Sequence, residues 1–95
     1  MRTMLRWTVP VEKGNSMIDD GSMGTVIEAV MAKTNPEAAY FYAENGKRAG
    51  ILFFDMREPA DVPRIAEMLF RGANASVEFV PVMNADDLKK ALTSL

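Results

Sequence analysis

Apolar side chains recur along the chain with two different periods, and these predict its strands and helices. Residues 3 to 9 alternate as a half-buried strand does, with Leu5, Trp7 and Val9 on one face. From residue 16 to residue 34 the spacing becomes helical, and one stripe carries Met23, Val26, Ile27, Val30 and Met31. The segment between them, residues 13 to 15, has the composition of a loop. Gly21 and Gly24 within the helix indicate either irregular first turns or close packing against the backbone.

Two apolar runs, residues 38 to 43 and 49 to 56, predict a β-hairpin. Between them lies Glu44-Asn45-Gly46-Lys47, and Asn-Gly supplies the positive φ angles of a tight turn. The turn is either a two-residue type I′ turn or a three-residue turn with a glycine bulge. This choice decides which face of the sheet Tyr40 and Tyr42 occupy.

The rest of the chain predicts a second helix, a fourth strand and a short tail helix. The second helix begins near Asp61, ends near Gly72, and carries an apolar stripe of Val62, Ile65, Ala66, Leu69, Phe70 and Ala73. Residues 75 to 83 predict a strand in which Pro81 favours either an edge position or a bulge. Asn84 and Asp87 make an imperfect capping box for residues 85 to 95. We expect the stripe of this tail, which contains Leu88 and Leu92, to dock on its own domain or across a dimer.

This βαββαβ order predicts one ferredoxin-like α+β domain over residues 1–95. Its four-stranded antiparallel sheet carries two helices on one face, with a short C-terminal helix added. Two helices cover only one face of such a sheet, yet the strands carry apolar residues on both. A second copy of the chain is the simplest cover for the other face, so we expect a homodimer in which two sheets form an α+β barrel.

Composition excludes several classes of chemistry. The 95 residues contain no cysteine and no histidine, so disulfides, thiolate or histidine metal sites and histidine-dependent catalytic triads are excluded. The formal net charge is −2 and the charges are scattered, which argues against nucleic-acid binding. No apolar run approaches the length of a membrane span or a signal peptide. We therefore expect a cytoplasmic protein with no metal or other cofactor and no membrane partner.

A ferredoxin-like chain of this length with a doubly apolar sheet resembles the dimeric α+β barrel superfamily. That group includes antibiotic-biosynthesis monooxygenases and muconolactone isomerases. Six stretches also resemble a group of uncharacterised bacterial proteins: Pro36-Glu37-Ala38-Ala39-Tyr40-Phe41, Gly46-Lys47-Arg48, Phe54-Asp55-Met56, Ile65-Ala66-Glu67, Asn74-Ala75-Ser76-Val77-Glu78-Phe79 and Pro81-Val82-Met83. The resemblance implies the fold and a dimer but no activity. Members that bind or degrade haem rely on histidine, which this chain lacks.

The candidate pocket residues are Arg6, Trp7, Tyr40, Tyr42, Asp55, Glu67 and Glu78. Trp7 is either a core residue, which we favour, or a pocket wall that stacks on a flat ligand. If the face that carries Arg6 is buried, its guanidinium needs a carboxylate, with Asp55 and Glu78 as candidates, or a ligand anion.

Tyr40 and Tyr42 share a face of one strand. Packing is their favoured role, although two phenols beside an arginine are also suited to holding an enolate. Glu67 is favoured as a solvated carboxylate paired with Arg64 or Arg71, with a general-base role as the alternative.

The residues leave two functions open. The first is a homodimer that binds a small hydrophobic or aromatic molecule between helices and sheet, as a binding protein or a cofactor-independent monooxygenase or isomerase. The alternative is a non-catalytic dimerisation or regulatory module. A ligand-sized cavity beside Trp7 or the tyrosines favours the first, and a fully packed interior favours the second.

Overall fold

A four-stranded antiparallel sheet organises the molecule, and the computed structural model describes it over all 95 residues. The strands are β1 (Arg2–Val9), β2 (Ala38–Glu44), β3 (Lys47–Asp55) and β4 (Ser76–Pro81), in the order β2-β3-β1-β4. The helices are α1 (Val11–Asp20), α2 (Ser22–Thr34), α3 (Asp61–Ala73) and α4 (Ala85–Leu92). This is the ferredoxin-like α+β arrangement, so the predicted fold class is confirmed. None of the helices combines the length and the apolarity that a membrane-spanning segment needs.

The first helical segment differs from its prediction. It begins at Val11, five residues early, and residues 13 to 15 belong to α1 rather than to a loop. The amide of Gly14 donates to the Pro10 carbonyl oxygen at 2.8 Å, so the helix follows directly from the proline that ends β1. Gly21 then separates α1 from α2 with φ of 78°, a left-handed conformation. The irregular alternative is therefore the correct one.

The hairpin between β2 and β3 has the two-residue turn. Asn45 and Gly46 both have positive φ, 51° and 77°, and Glu44 pairs with Lys47. This register places Tyr40 opposite Ile51 and Tyr42 opposite Ala49. Both tyrosines therefore lie on the face that the helices leave uncovered, which we call the open face.

The second half of the chain follows its prediction closely. Helix α3 buries Ile65, Ala66, Leu69 and Ala73, and it ends at Asn74, whose φ is 51°, rather than at Gly72. Gly72 instead allows close contact with α2, since a Cβ there would lie 3.0 Å from Val26 Cγ2. Strand β4 is shorter than predicted but lies at the sheet edge, as Pro81 indicated.

The tail helix α4 begins with the predicted capping box. Asn84 Oδ1 accepts the Asp87 amide at 2.8 Å, and Asp87 Oδ2 accepts the Asn84 amide at 3.1 Å. No residue of α4 is buried, and Leu88 and Leu92 are exposed. One side-chain hydrogen bond ties α4 to the sheet, from Arg2 Nη1 to Asp87 Oδ2 at 3.0 Å. Docking of the tail on its own domain is therefore not observed.

The core lies between the sheet and helices α1 to α3. Residues Thr3, Leu5, Trp7 and Val9 of β1 face this core, and all four are buried. The alternate residues of β1, among them Met4 and Arg6, lie on the open face and are half-buried. Apolar and charged side chains share the open face, so the prediction that both faces are apolar is confirmed for part of that face only.

Candidate functional site: an apolar pocket between α2 and the sheet

Trp7 occupies its place because the residue opposite it has no side chain. Trp7 pairs with Gly50 of β3 on the face that the helices cover. A Cβ on Gly50 would lie 2.2 Å from Trp7 Cζ2, closer than any real contact. The indole therefore lies against the Gly50 backbone, and its exposed fraction is only 4%. Gly50 thus sets the position of the only tryptophan in the chain.

An apolar pocket of about 360 Å³ opens beside this indole, between α2 and the end of the sheet. Seven of its eight lining residues are hydrophobic. Trp7 and Val9 of β1 form one side, Met23 and Ile27 of α2 form another, and Phe41 of β2 closes the third. Pockets that bind small molecules are typically apolar and about 300–1,000 Å³ in volume. The space is therefore large enough for a ligand of about one substituted ring.

The pocket exists because the helices do not extend over β2. Phe41 points to the helix face, opposite Gly50, yet it is 54% exposed. Its ring meets the Trp7 indole edge to face, with centroids 6.2 Å apart and planes at 68°. Two aromatic rings in this geometry form a firm wall, because such pairs attract each other beyond simple burial.

The eighth lining residue is Arg48, the pocket's one charged group. Its Nη1 donates to Asn15 Oδ1 of α1 at 3.1 Å. Its side chain lies over Gly14, where a Cβ would come within 2.7 Å of Nη1. The Arg48 guanidinium forms no ion pair, unlike those of Arg2, Arg6, Arg64 and Arg71. A cation without a carboxylate partner therefore lies beside an apolar cavity.

A separate polar cluster lies on the open face around Arg6. Arg6 Nη2 is 3.4 Å from Glu78 Oε1 and 3.9 Å from Glu44 Oε1. Tyr42 donates its hydroxyl to the same Glu44 oxygen at 2.9 Å, and this hydrogen bond raises the pKa of Tyr42. A raised pKa keeps the phenol protonated, which suits a hydrogen-bond donor rather than a phenolate base.

The predicted candidates therefore lie in four places rather than in one site. Trp7 lines the apolar pocket from the covered face, whereas Tyr42 lies on the open face, where its hydroxyl belongs to the cluster around Arg6, and only borders the pocket. Arg6, Tyr40 and Glu78 lie on the open face, where Glu78 is the carboxylate partner of Arg6 and Asp55 is not.

The other two candidates lie elsewhere. Asp55 is at the sheet end, 2.6 Å from the Met1 amino group. Glu67 lies on the outer surface of α3, where its Oε2 accepts a hydrogen bond from Arg71 Nε at 3.1 Å. This is one of the two helix pairs that the sequence predicts for Glu67.

Sequence reasoning does not select Met23, Ile27, Phe41 or Arg48 as site residues. Met23 and Ile27 are part of the helical stripe that predicts core packing, and nothing in that stripe marks which members border a cavity. Phe41 becomes a pocket residue only through the two-residue turn, because its face depends on the hairpin register, and Arg48 does so through the β1–β3 register that pairs it with Val9.

A larger cleft of about 770 Å³ lies at the other end of the sheet. It is bordered by Arg2, Glu37, Asp55 and Asp87 among others. These charges already pair with each other or with the Met1 amino group: Arg2 with Glu37 and Asp87, both at 3.0 Å, and Asp55 with Met1. The cleft therefore offers a ligand no free charged group, and the smaller pocket is the better candidate site.

Comparison with known proteins supports the fold and nothing finer. No protein-family model and no curated protein matches this sequence. Among solved structures, the periplasmic divalent cation tolerance protein CutA from Archaeoglobus fulgidus is similar, with a TM-score of 0.51 and 12% identity over 98% of this chain and 93% of that one. The de novo designed protein Ferredog-Diesel is similar at a TM-score of 0.50 and 8% identity, over 85% of each chain. At such low identity the likeness shows a ferredoxin-like α+β fold alone.

The chain itself has no group of three or more acidic side chains placed to hold a metal ion. The groups that the candidate site offers a ligand are its seven hydrophobic side chains and the guanidinium of Arg48.

Proposed function

We propose that this protein binds a small apolar or aromatic molecule in the pocket between α2 and the sheet. The observation that carries the proposal is the pocket itself, about 360 Å³ with seven hydrophobic lining residues out of eight. The pocket opens to solvent at the edge of the sheet, so a small molecule can enter it without displacing the packed core. Phe41 is 54% exposed and offers a planar ligand an aromatic surface, which the buried Trp7 indole supports from behind.

Trp7 makes the proposal directly measurable, since it is the only tryptophan and lies in the pocket wall. The test is titration of neutral para-tert-butylbenzamide against the emission of Trp7. We expect a saturable change with a dissociation constant in the range of about 0.1–1 mM, as the contact area of a ligand this small allows.

A matched pair of variants locates the binding. Ile27→Phe adds volume inside the pocket and should weaken binding about tenfold, a loss of about 1.4 kcal/mol. Ile18→Phe makes the same change on the exposed side of α1 and should leave the affinity unchanged. No saturable change in wild-type emission, or equal affinity in the two variants, would contradict the proposal.

We also propose that the open face is a homodimer interface, as the resemblance to dimeric α+β barrels implies. Met4, Ile51, Phe53 and Val80 keep half-exposed apolar surface there, which a second copy of the same face would bury. The exposed stripe of α4 supports the same idea, because an eight-residue helix gains little stability alone and nothing on its own chain covers it. Light scattering across a dilution series tests the dimer, and a folded monomer at micromolar concentration would contradict it.

The alternative function is a dimerisation module whose interior has no ligand. It is favoured by the apolar open face and disfavoured by the pocket. The benzamide titration separates the two, because a pure dimerisation module would not bind the probe.

A further inference from the structure

The charge at the mouth of the pocket specifies the class of ligand. From the placement of Arg48 we infer that the ligand is an anion, an aromatic or branched aliphatic carboxylate whose apolar body fills the pocket and whose carboxylate binds the Arg48 guanidinium. This inference rests on the proposed function, since it concerns the selectivity of the same pocket.

The charge of Arg48 has no carboxylate partner within the chain. Of the six arginines in the chain, only Arg48 and Arg57 form no ion pair. The side-chain partner of Arg48 is the neutral amide of Asn15, which occupies Nη1 and leaves the other guanidinium donors free for a ligand. A planar carboxylate suits those donors, because it accepts two parallel N–H bonds.

Arg48 contacts α1 at two points. Its guanidinium lies over Gly14 on α1, where an added Cβ would lie 2.7 Å from Nη1 and 3.3 Å from Cδ. Together with the hydrogen bond to Asn15, this contact places the cation between α1 and the pocket mouth. An arginine fixed in this way loses less side-chain entropy when it binds an anion.

Arg48 differs in charge from every other residue that lines the pocket. The other residues of the pocket carry no charge, so one cation is the only electrostatic feature that a ligand meets there. A carboxylate gains both charge attraction and paired hydrogen bonds from it, a neutral ligand gains a hydrogen bond at most, and a cationic ligand is repelled. Apolar walls with one oriented charged group are the usual arrangement for a site that binds a small molecule in one orientation.

Three probes of the same shape and different charge test this inference. These are para-tert-butylbenzoate, the neutral para-tert-butylbenzamide and para-tert-butylbenzylammonium, each titrated against Trp7 emission at fixed ionic strength. We expect the benzoate to bind about five- to tenfold more tightly than the benzamide, and the ammonium to bind most weakly. The advantage of the benzoate should shrink as salt is added, because Arg48 is exposed at the mouth.

Three variants then assign the preference to Arg48. Arg48→Gln should lower benzoate affinity more than benzamide affinity, so that the ratio of the two falls to about one. Arg57→Gln removes the other arginine without an ion pair, outside the pocket, and should retain the preference. Gly14→Ala keeps the charge but displaces the guanidinium, so it should reduce the ratio of benzoate to benzamide affinity.

The outcomes separate this inference from the proposed function. If the benzamide binds and the benzoate binds no more tightly, the pocket is a binding site but the anion preference is wrong. If Arg48→Gln keeps the preference, or if Arg57→Gln removes it equally, Arg48 is not the group that binds the carboxylate. If none of the three probes changes Trp7 emission, the proposed function fails and this inference fails with it.

Discussion

The two faces of the sheet are built from the same strands, yet they leave very different amounts of apolar surface in water. On the face that the helices cover, Leu5 of β1 and Leu52 of β3 lie opposite each other, and both are fully buried. One residue along, Met4 and Phe53 form the matching pair on the open face and are only half-buried. The covered face therefore holds the core and borders the pocket, while the open face keeps the apolar surface that the proposed dimer would bury.

The substitution with the largest expected effect on stability lies on the covered face. Leu52→Ala should lower the free energy of unfolding by about 2–5 kcal/mol, because it leaves a cavity in a packed core. Ile51→Ala is the matched control one residue away on the open face, and it should cost clearly less in dilute protein. Urea denaturation at low protein concentration measures both. Equal losses would contradict the assignment of the two faces.

The contact between Trp7 and Gly50 should be the next most sensitive feature. Gly50→Ala places a methyl group inside the indole and should cost about 1–3 kcal/mol, with a change in Trp7 emission as the ring moves. Gly24→Ala is the control, since nothing lies within 4 Å of an added Cβ there. That variant should stabilise α2 by about 1 kcal/mol. A Gly50→Ala protein with wild-type stability and emission would show that the indole does not lie against β3.

Placing a charge on the open face tests whether that face is the dimer interface. Ile51→Lys should raise the dissociation constant of the dimer about a hundredfold, because it places an unpaired cation in the proposed apolar interface, and it should hardly change monomer stability. Ile18→Lys, on the exposed side of α1, is the control and should leave the dimer intact. Sedimentation equilibrium measures both constants. A dimer that tolerates Ile51→Lys would use another surface.

The tail helix provides a smaller perturbation of the same face. Removal of residues 85 to 95 should raise the dissociation constant of the dimer about tenfold, or about 1.4 kcal/mol, if α4 packs on the second copy. The free energy of unfolding of the dilute monomer should change little, since α4 buries no residue on its own chain. A large loss of monomer stability with no change in the dimer dissociation constant would show that the tail packs on its own domain instead.

A substitution at the junction between α1 and α2 should have the smallest effect on the free energy of unfolding, and that effect should depend on pH. Hydrogen bonds from Ser22 lower the pKa of Asp20 below its ordinary value of 3.8. A lowered carboxyl pKa contributes stability above the ordinary pKa, and that contribution is lost as the pH falls through the lowered value. Asp20→Ala should therefore slightly destabilise the protein at neutral pH and match the wild type in strong acid. Urea denaturation at both pH values checks this, and a difference that persists in acid would contradict it.

The fold can be predicted from the sequence because periodicity, turn chemistry and capping residues agree with one another. The Asn45-Gly46 turn, the α3 stripe and the Asn84–Asp87 capping box are local signals, and all three appear in the structure. The start of α1 escapes prediction because Gly14 and Asn15 resemble loop residues. Their positions depend on a contact with Arg48, which is distant in sequence and invisible to a local pattern.

The candidate site can be predicted only in part. Trp7 is found from the sequence because a single tryptophan on a central strand stands out, but its neighbours in the pocket depend on the hairpin register. The two-residue turn places Tyr40 on the open face and leaves Phe41 beside Trp7. Arg48 enters the site through the pairing of β3 with β1, which puts it opposite Val9, and a residue at the start of a strand shows no preference for either face until that register is known.

Methyl NMR of the wild-type protein during a titration with para-tert-butylbenzoate tests the central claim most directly, because it follows both faces of the sheet at once. The account predicts saturable shifts for the methyl groups of Val9, Met23 and Ile27, which line the pocket. The methyl groups of Met4, Ile51 and Val80 on the open face should keep their positions at constant protein concentration. Shifts confined to the open face, with the pocket methyl groups unmoved, would contradict the account.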